Sequence, residues 1–269
     1  MNWFKNIFVL TSCFATPAFA VLLPVDLNNW QEDPGVASNG TWTVQAGNDA
    51  VLQTTNGNPT VFYEDGANSR DVTLTGNIRV TTTSDDDFIG FVLGYQTGEL
   101  YSSAADFWLI DWKQGNQAGF GTTGLAGLAL SHVTNTTNLA ADFWGHTGGV
   151  DEIARATNLA NTGWADNTAY AFDLVFTANL IQVSVNGLLE LSVTAAQAGV
   201  SEFSDGAFGF YNFSQSNVLY SGVAAQDVPF CELNPQNPSC NANGVPTPAP
   251  LALLGFGLLA LGYTKRKVR

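Results

Sequence analysis

The stretch Asp85-Asp-Asp-Phe-Ile-Gly-Phe-Val-Leu-Gly-Tyr-Gln96 decides the fold. Three acids lead directly into Phe88–Tyr95, a mostly apolar run that reads as a strand. Working outward, the same form recurs. Val72–Thr82 alternates, with Val72, Leu74, Ile78 and Val80 on one side and mostly Thr or polar residues on the other. Phe107–Trp112, Leu125–Val133, Tyr170–Phe176, Leu180–Val185, Leu188–Val193, Ala207–Phe213 and Val218–Val223 are further short runs, divided by Gly, Asn, Asp and Thr. Asn186-Gly187 supplies the two positive φ angles of a type I′ hairpin turn. Nine or more such strands predict an all-β sandwich or jelly roll of roughly 200 residues. No long amphipathic pattern is present; Asp151–Leu159 is expected to form a short helix.

Composition agrees. The 269 residues include 27 Gly and 10 Pro, and only 12% are charged, which suits turns and sheets better than helices. An apolar share of 45% with 18 Phe and 7 Trp excludes global disorder. The net charge of −14 and the lack of a Lys/Arg cluster before the last residues exclude nucleic acid as a partner.

Both ends read as targeting segments. Residues 1–20 carry Lys5, a short apolar stretch and Ala18-Phe19-Ala20, the pattern of a cleaved secretory signal. Lipid attachment at Cys13 is the alternative, since Leu10-Thr11-Ser12 precedes it. Residues 21–228 form the β domain. Residues 229–249 are a Pro/Asn-rich linker in which Cys231 and Cys240 are expected to form a disulfide after export. In 250–269, an apolar segment at 251–263 precedes the basic tail 264–269. As a transmembrane helix this segment would be about 20 Å long, short for a ~30 Å hydrocarbon core. The order Val245-Pro-Thr-Pro-Ala-Pro-Leu-Ala-Leu-Leu-Gly, apolar run, basic tail resembles the PEP-CTERM sorting signals of Gram-negative bacteria. That resemblance implies handling by an exosortase-type enzyme, at least transient membrane anchoring and delivery to the cell surface. Without its ends the chain keeps four basic residues, Arg70, Arg79, Lys113 and Arg155, against 23 acids, a net charge of −19.

Six segments, in this order, resemble the thrombospondin C-terminal domain, an L-type-lectin-like β-sandwich. They are Val25-Asp-Leu-Asn-Asn-Trp30, the Asp85–Gln96 stretch, Trp112-Lys-Gln114, Trp144-Gly-His-Thr-Gly148, Gly163-Trp-Ala-Asp-Asn-Thr-Ala-Tyr170 and Gly206-Ala-Phe-Gly-Phe-Tyr-Asn-Phe-Ser-Gln215. Gly145 interrupts the usual Trp-His-Thr-Gly, and neither Asp-rich repeats nor an Arg-Gly-Asp triplet is present. The resemblance implies Ca²⁺ as cofactor and a role in adhesion.

Asp85, Asp86 and Asp87 are the leading candidates for that ion. Adjacent like charges repel unless solvated or bound to a cation, and calcium takes six to eight oxygen ligands. Side chains alternate along extended chain, so Asp85 and Asp87 make the better pair, with Asp86 facing a second site. In related lectins an Asp before a similar strand touches both the metal loop and a sugar hydroxyl, which makes Asp86 or Asp87 the implied sugar contact. Asp111, inside Trp108-Leu-Ile-Asp-Trp112, either pairs with Lys113 on the solvent face or joins Asn116 as a metal ligand. His132 and His146 show no zinc spacing, and His146 is expected to satisfy a buried hydrogen bond. Glycosidase chemistry needs two carboxylates flanking the sugar bond, and no Glu-x-Asp-x-x-Glu strand or Gly-x-Ser-x-Gly elbow occurs, so no enzyme activity is expected. The readings rank as an exported calcium-binding adhesion domain bound to extracellular polysaccharide or matrix protein, then a lectin for envelope polysaccharide, and last a divergent glycosidase.

Overall fold

The computed structural model describes residues 22–36 and 39–228. Two antiparallel sheets pack face to face. One runs Leu188–Thr194, Leu180–Val185, Tyr170–Phe176, Val72–Val80, Val218–Asp227, Val51–Gln53, Trp42–Val44, with Leu23–Pro24 added beside Val218–Asp227. The other runs Val150–Arg155, Gly127–Val133, Phe107–Lys113, Phe88–Tyr95, Ala207–Phe213, Thr60–Glu64, Trp30–Glu32. A small hairpin, Gln117–Gly119 with Thr122–Gly124, stands apart from both.

The core has two layers, and this explains the sequence pattern. Between the sheets lie Ile78, Phe91, Trp108, Ile110, Phe172, Phe210 and their neighbours. A second apolar layer, with Phe88, Val92, Tyr95, Phe107, Leu109, Tyr211 and Phe213, lies on the other face of the seven-stranded sheet. The helix Leu139–Gly145 packs into it through Leu139, Phe143 and Trp144. Strands covered on both faces have no polar face to show, so Phe88–Tyr95 and Ala207–Phe213 are buried at every residue and read as continuous apolar runs. The eight-stranded sheet is wetter on its outer side: in Val72–Val80, Leu74, Ile78 and Val80 are buried while Thr75, Asn77 and Arg79 are half-buried or exposed.

Four of the expected strands, Phe88–Tyr95, Tyr170–Phe176, Leu180–Val185 and Ala207–Phe213, have the observed bounds. The turn Asn186-Gly187 has φ angles of 51° and 76°, as a type I′ turn requires. The helix expected at Asp151–Leu159 is instead the strand Val150–Arg155, paired with Gly127–Val133. Its backbone groups complete the ladder of that neighbour, and this tertiary demand overrides local preference. The helix that does form, Leu139–Gly145, is short and lies elsewhere. No helix among the described residues is long and apolar enough to cross a membrane. The signal, the linker cysteines Cys231 and Cys240, and the apolar segment 251–263 lie outside the described residues.

Candidate functional site: an acidic strand start with its own lysine

Asp85, Asp86 and Asp87 precede Phe88–Tyr95, and one carboxylate oxygen from each lies within 4.8 Å of the others. All three therefore meet at one place, although side-chain alternation predicts that Asp86 turns away. Their exposures differ. Asp85 and Asp86 are partly exposed, while Asp87 is only 2% exposed. Asp85 accepts a hydrogen bond from the Asn56 side-chain amide. Room beside Asp86 depends on Gly115, where an added Cβ would stand 2.7 Å from Asp86 Oδ2.

Lys113 closes the inner side of the group. It is the last residue of Phe107–Lys113, directly paired with Phe88 on the next strand. The side chain is fully buried. Its Nζ donates to Asp87 Oδ1 at 2.6 Å, Asp86 Oδ1 at 3.1 Å, the Asp86 carbonyl at 3.0 Å and Gln117 Oε1 at 3.0 Å. The rings of Trp144 and Phe88 lie 4.9 and 5.5 Å from the ammonium. Burial pushes the Asp87 carboxyl up to about 6, against the downward pull of Lys113. The Asp87 backbone is held as well: its N–H donates to Gln215 Oε1, and its carbonyl accepts from Trp164 Nε1.

This geometry changes two sequence expectations. Asp87 is enclosed and tied to Lys113, so it does not reach the surface; Asp86 also pairs with Lys113 through Oδ1, but its side chain is 39% exposed. Asp111 is neither on a solvent face nor paired with Lys113. It is 1% exposed, beneath the helix Leu139–Gly145, and its Oδ2 lies 2.9 Å from His146 Nε2. Asp111 and Lys113 share a face of one strand, but that face is the second core layer, and each finds its own partner. Asn116 spends its Oδ1 on the Ala126 N–H and does not meet Asp111 as a ligand pair.

His146 makes a second buried charge network, as its expected buried hydrogen bond required. Its Nδ1 lies 3.1 Å from Glu152, which in turn holds Arg155 at 2.7 Å. Burial alone would lower the imidazole, but Asp111 and Glu152 outweigh it and hold His146 up to about 9. Burial opposes ionisation of Glu152, yet His146 and Arg155 bring it down to about 2. With a carboxylate on each nitrogen, this imidazolium has no lone pair to act as a general base. His132 stacks on Trp108 at 4.2 Å and pairs with Asp106. Trp30, Trp108, Trp112, Trp144 and Trp164 are buried core residues, and Trp42, half-buried, packs against the core and stacks on Phe62.

The donor set fits calcium on its outward side. Oxygens on opposite sides of a Ca²⁺ stand about 5 Å apart at the usual 2.3–2.6 Å ligand distance, and the triplet falls inside that span. Beside it the Asn56 amide donates to Asp85 and accepts from Ser214 Oγ at 3.4 Å, so neutral groups border the triplet. Sequence reasoning set Lys113 beside Asp111 rather than in the acidic group, and overlooked Asn56 and Ser214. The available signal was Lys113 itself, the one lysine between residues 21 and 249, ending an apolar strand.

Two packed antiparallel sheets make the chain an all-β sandwich. The thrombospondin C-terminal region profile matches residues 37–227, and the chain belongs to that family. It is 30% identical to thrombospondin-2 of Gallus gallus over 197 residues, 68% of this chain and 16% of that protein. It is 29% identical to Homo sapiens thrombospondin-3 over 196 residues, 68% of this chain and 20% of that protein. The match thus spans a fifth or less of these relatives. Among solved structures, the carbohydrate binding module CBM66 from Bacillus subtilis shares the fold, with a TM-score of 0.52 at 12% identity, covering 74% of this chain and 96% of that one.

Proposed function

We propose that this chain is an exported, non-enzymatic adhesion domain that binds calcium at Asp85 and Asp86 and attaches to extracellular polysaccharide or matrix protein at a bacterial cell surface. The observation that carries the reading is the convergence of three carboxylates within 4.8 Å, two of them on partly exposed residues. Asp85 and Asp86 would hold the ion. Bound calcium would supply a fixed positive charge, relieve repulsion within the triplet and fasten the loop that starts a central strand. The membership of the chain in the thrombospondin C-terminal family supports the cofactor. A net charge of −19 between the targeting segments supports a divalent ion as the bridge to any acidic polysaccharide.

The likeness to CBM66 supports a sugar as the partner, with Asp86 as the remaining contact among the residues named from sequence. The sorting tail supports surface delivery through an exosortase-type enzyme and transient membrane anchoring. Calcium titration by calorimetry on the full chain, followed by a glycan array in calcium and in EDTA, tests the proposal. Calcium uptake with calcium-dependent glycan or matrix binding is expected. An absence of calcium uptake refutes it, and turnover of a β-glucan abolished by one acid substitution would restore the glycosidase reading.

A further inference from the structure

The ammonium of Lys113 sits where an inner cation of the acidic group would sit. Four oxygens surround it at 2.6–3.1 Å: one carboxylate oxygen each from Asp86 and Asp87, the Asp86 carbonyl and the Gln117 amide oxygen. Carboxylate, carbonyl and amide oxygens are the set that hard cations take. An ammonium has three N–H donors, so four acceptors more than saturate it. On its remaining side two aromatic rings face the charge at 4.9 and 5.5 Å, a position that favours a cation and excludes water. The amine is delivered by the neighbouring strand, whose register places Lys113 against Phe88. The Gln114 N–H also donates to the Asp86 carbonyl at 3.1 Å, so the backbone of one strand end grips the start of the other. Arg70, Arg79 and Arg155 play no part in this; Arg70 pairs with Glu202 and Arg155 with Glu152.

We propose that Lys113 is a tethered cation that permanently fills the inner position of the acidic group, so that a divalent ion reaches only the outward carboxylates of Asp85 and Asp86. This rests on the calcium reading for its outer half and on Lys113 alone for its inner half. Two consequences follow. The strand start is held without any metal, and the domain folds in EDTA. Removal of the lysine charge does more than delete an ion pair, because it leaves an oxygen-lined cavity that an external cation can enter.

The test has two arms on the full chain. In the first, the Lys113 side-chain nitrogen of the wild-type protein is followed by NMR during a CaCl₂ titration. The expected result is a solvent-protected ammonium signal that persists, while the Asp85 carboxyl carbon shifts. In the second, Lys113→Met, which keeps the apolar stem, ends one atom short of the ammonium and drops the charge, is titrated with CaCl₂ by calorimetry. One more ion per chain than wild type is expected, with a melting temperature that falls in EDTA and recovers in calcium. Loss of the ammonium signal when calcium is added overturns the inference and upholds the calcium reading. A persistent ammonium with calcium uptake only by Lys113→Met supports the inference and overturns the calcium reading. Should Lys113→Met fail to fold, the wild-type NMR arm decides alone.

Discussion

His146 Nε2 lies 2.9 Å from Asp111 Oδ2, and this contact joins the C-terminal end of the helix Leu139–Gly145 to the centre of the seven-stranded sheet. His146 ends that helix in a left-handed conformation, with φ of 48°. The turn aims the ring down between two carboxylates. The family segment Trp144-Gly-His-Thr-Gly148 therefore has a physical meaning here: Trp144 packs the helix into the second core layer, and His146 fastens it with charge.

That contact sets a pH dependence. His146 is raised from an ordinary 6.5 to about 9 in the folded chain. A group whose folded pKa is raised contributes stability that is fully present below its unfolded value. The contribution, on the order of 3 kcal/mol, should be present at pH 6 and disappear as the pH rises through about 9. Glu152 has the opposite sign, since its folded value of about 2 is depressed, and its contribution is lost as the pH falls from about 4.5 through 2. Urea melts between pH 6 and 10 should show this fall for wild type and a flatter profile for His146→Gln.

The Asp111–His146 pair is also open to a double-mutant cycle. Removing one partner of a buried ion pair leaves the other charge unpaired, which costs about 3–5 kcal/mol, whereas replacing both with apolar groups costs much less. Asp111→Leu and His146→Leu are each expected to destabilise strongly. The double variant should be more stable than either single one. Additive losses would show that the two residues do not act as a pair.

Much of the sandwich was legible because its strands are short, β-branched or aromatic, and divided by turn residues. Phe88–Tyr95 and Ala207–Phe213 were found from their apolar runs, and Asn186-Gly187 from its turn chemistry. Short pieces such as Trp42–Val44 and Val51–Gln53 carry too few residues to show a period. Val150–Arg155 was misread because its pairing with Gly127–Val133 is a long-range fact that no local pattern encodes. The acidic triplet was visible, but its inner cation was not. Lys113 is 26 residues from Asp87, and only strand register brings them together.

Gly90 lies within the stretch that decides the fold, and the reason it must be glycine is steric. A Cβ there would stand 2.0 Å from the carbonyl oxygen of Ile110, an atom of backbone rather than a movable side chain. Gly90→Ala should destabilise the domain by roughly 1–3 kcal/mol, the usual range for overpacking. A melting temperature equal to wild type would show that the two strands can part at no cost.

Trp164 donates from Nε1 to the carbonyls of Asp87 and Trp112, both 3.1 Å away, so one buried side chain ties the acidic strand start to the adjacent strand. Trp164→Phe keeps most of the apolar volume and removes the donor. A loss of roughly 1–3 kcal/mol is expected for leaving buried acceptors without that partner. Calcium affinity should weaken with it, because Asp87 precedes the strand that the loop serves. An unchanged affinity in a destabilised variant would limit Trp164 to packing.

On the proposed function, the acidic strand start binds calcium selectively. An ion that binds only the folded state stabilises it by about 2.7 kcal/mol at a hundredfold excess over Kd, which for a domain of this size raises the melting temperature by roughly 5–10 °C. General screening would act alike for any salt, whereas magnesium releases its water reluctantly and suits such a site poorly. The decisive measurement is a thermal melt of wild type and Asp85→Asn in EDTA, in millimolar Ca²⁺, in millimolar Mg²⁺ and in high NaCl. A rise specific to calcium, lost in Asp85→Asn, is the expected result. Equal rises in all three salts, or a calcium response that survives Asp85→Asn, would contradict it.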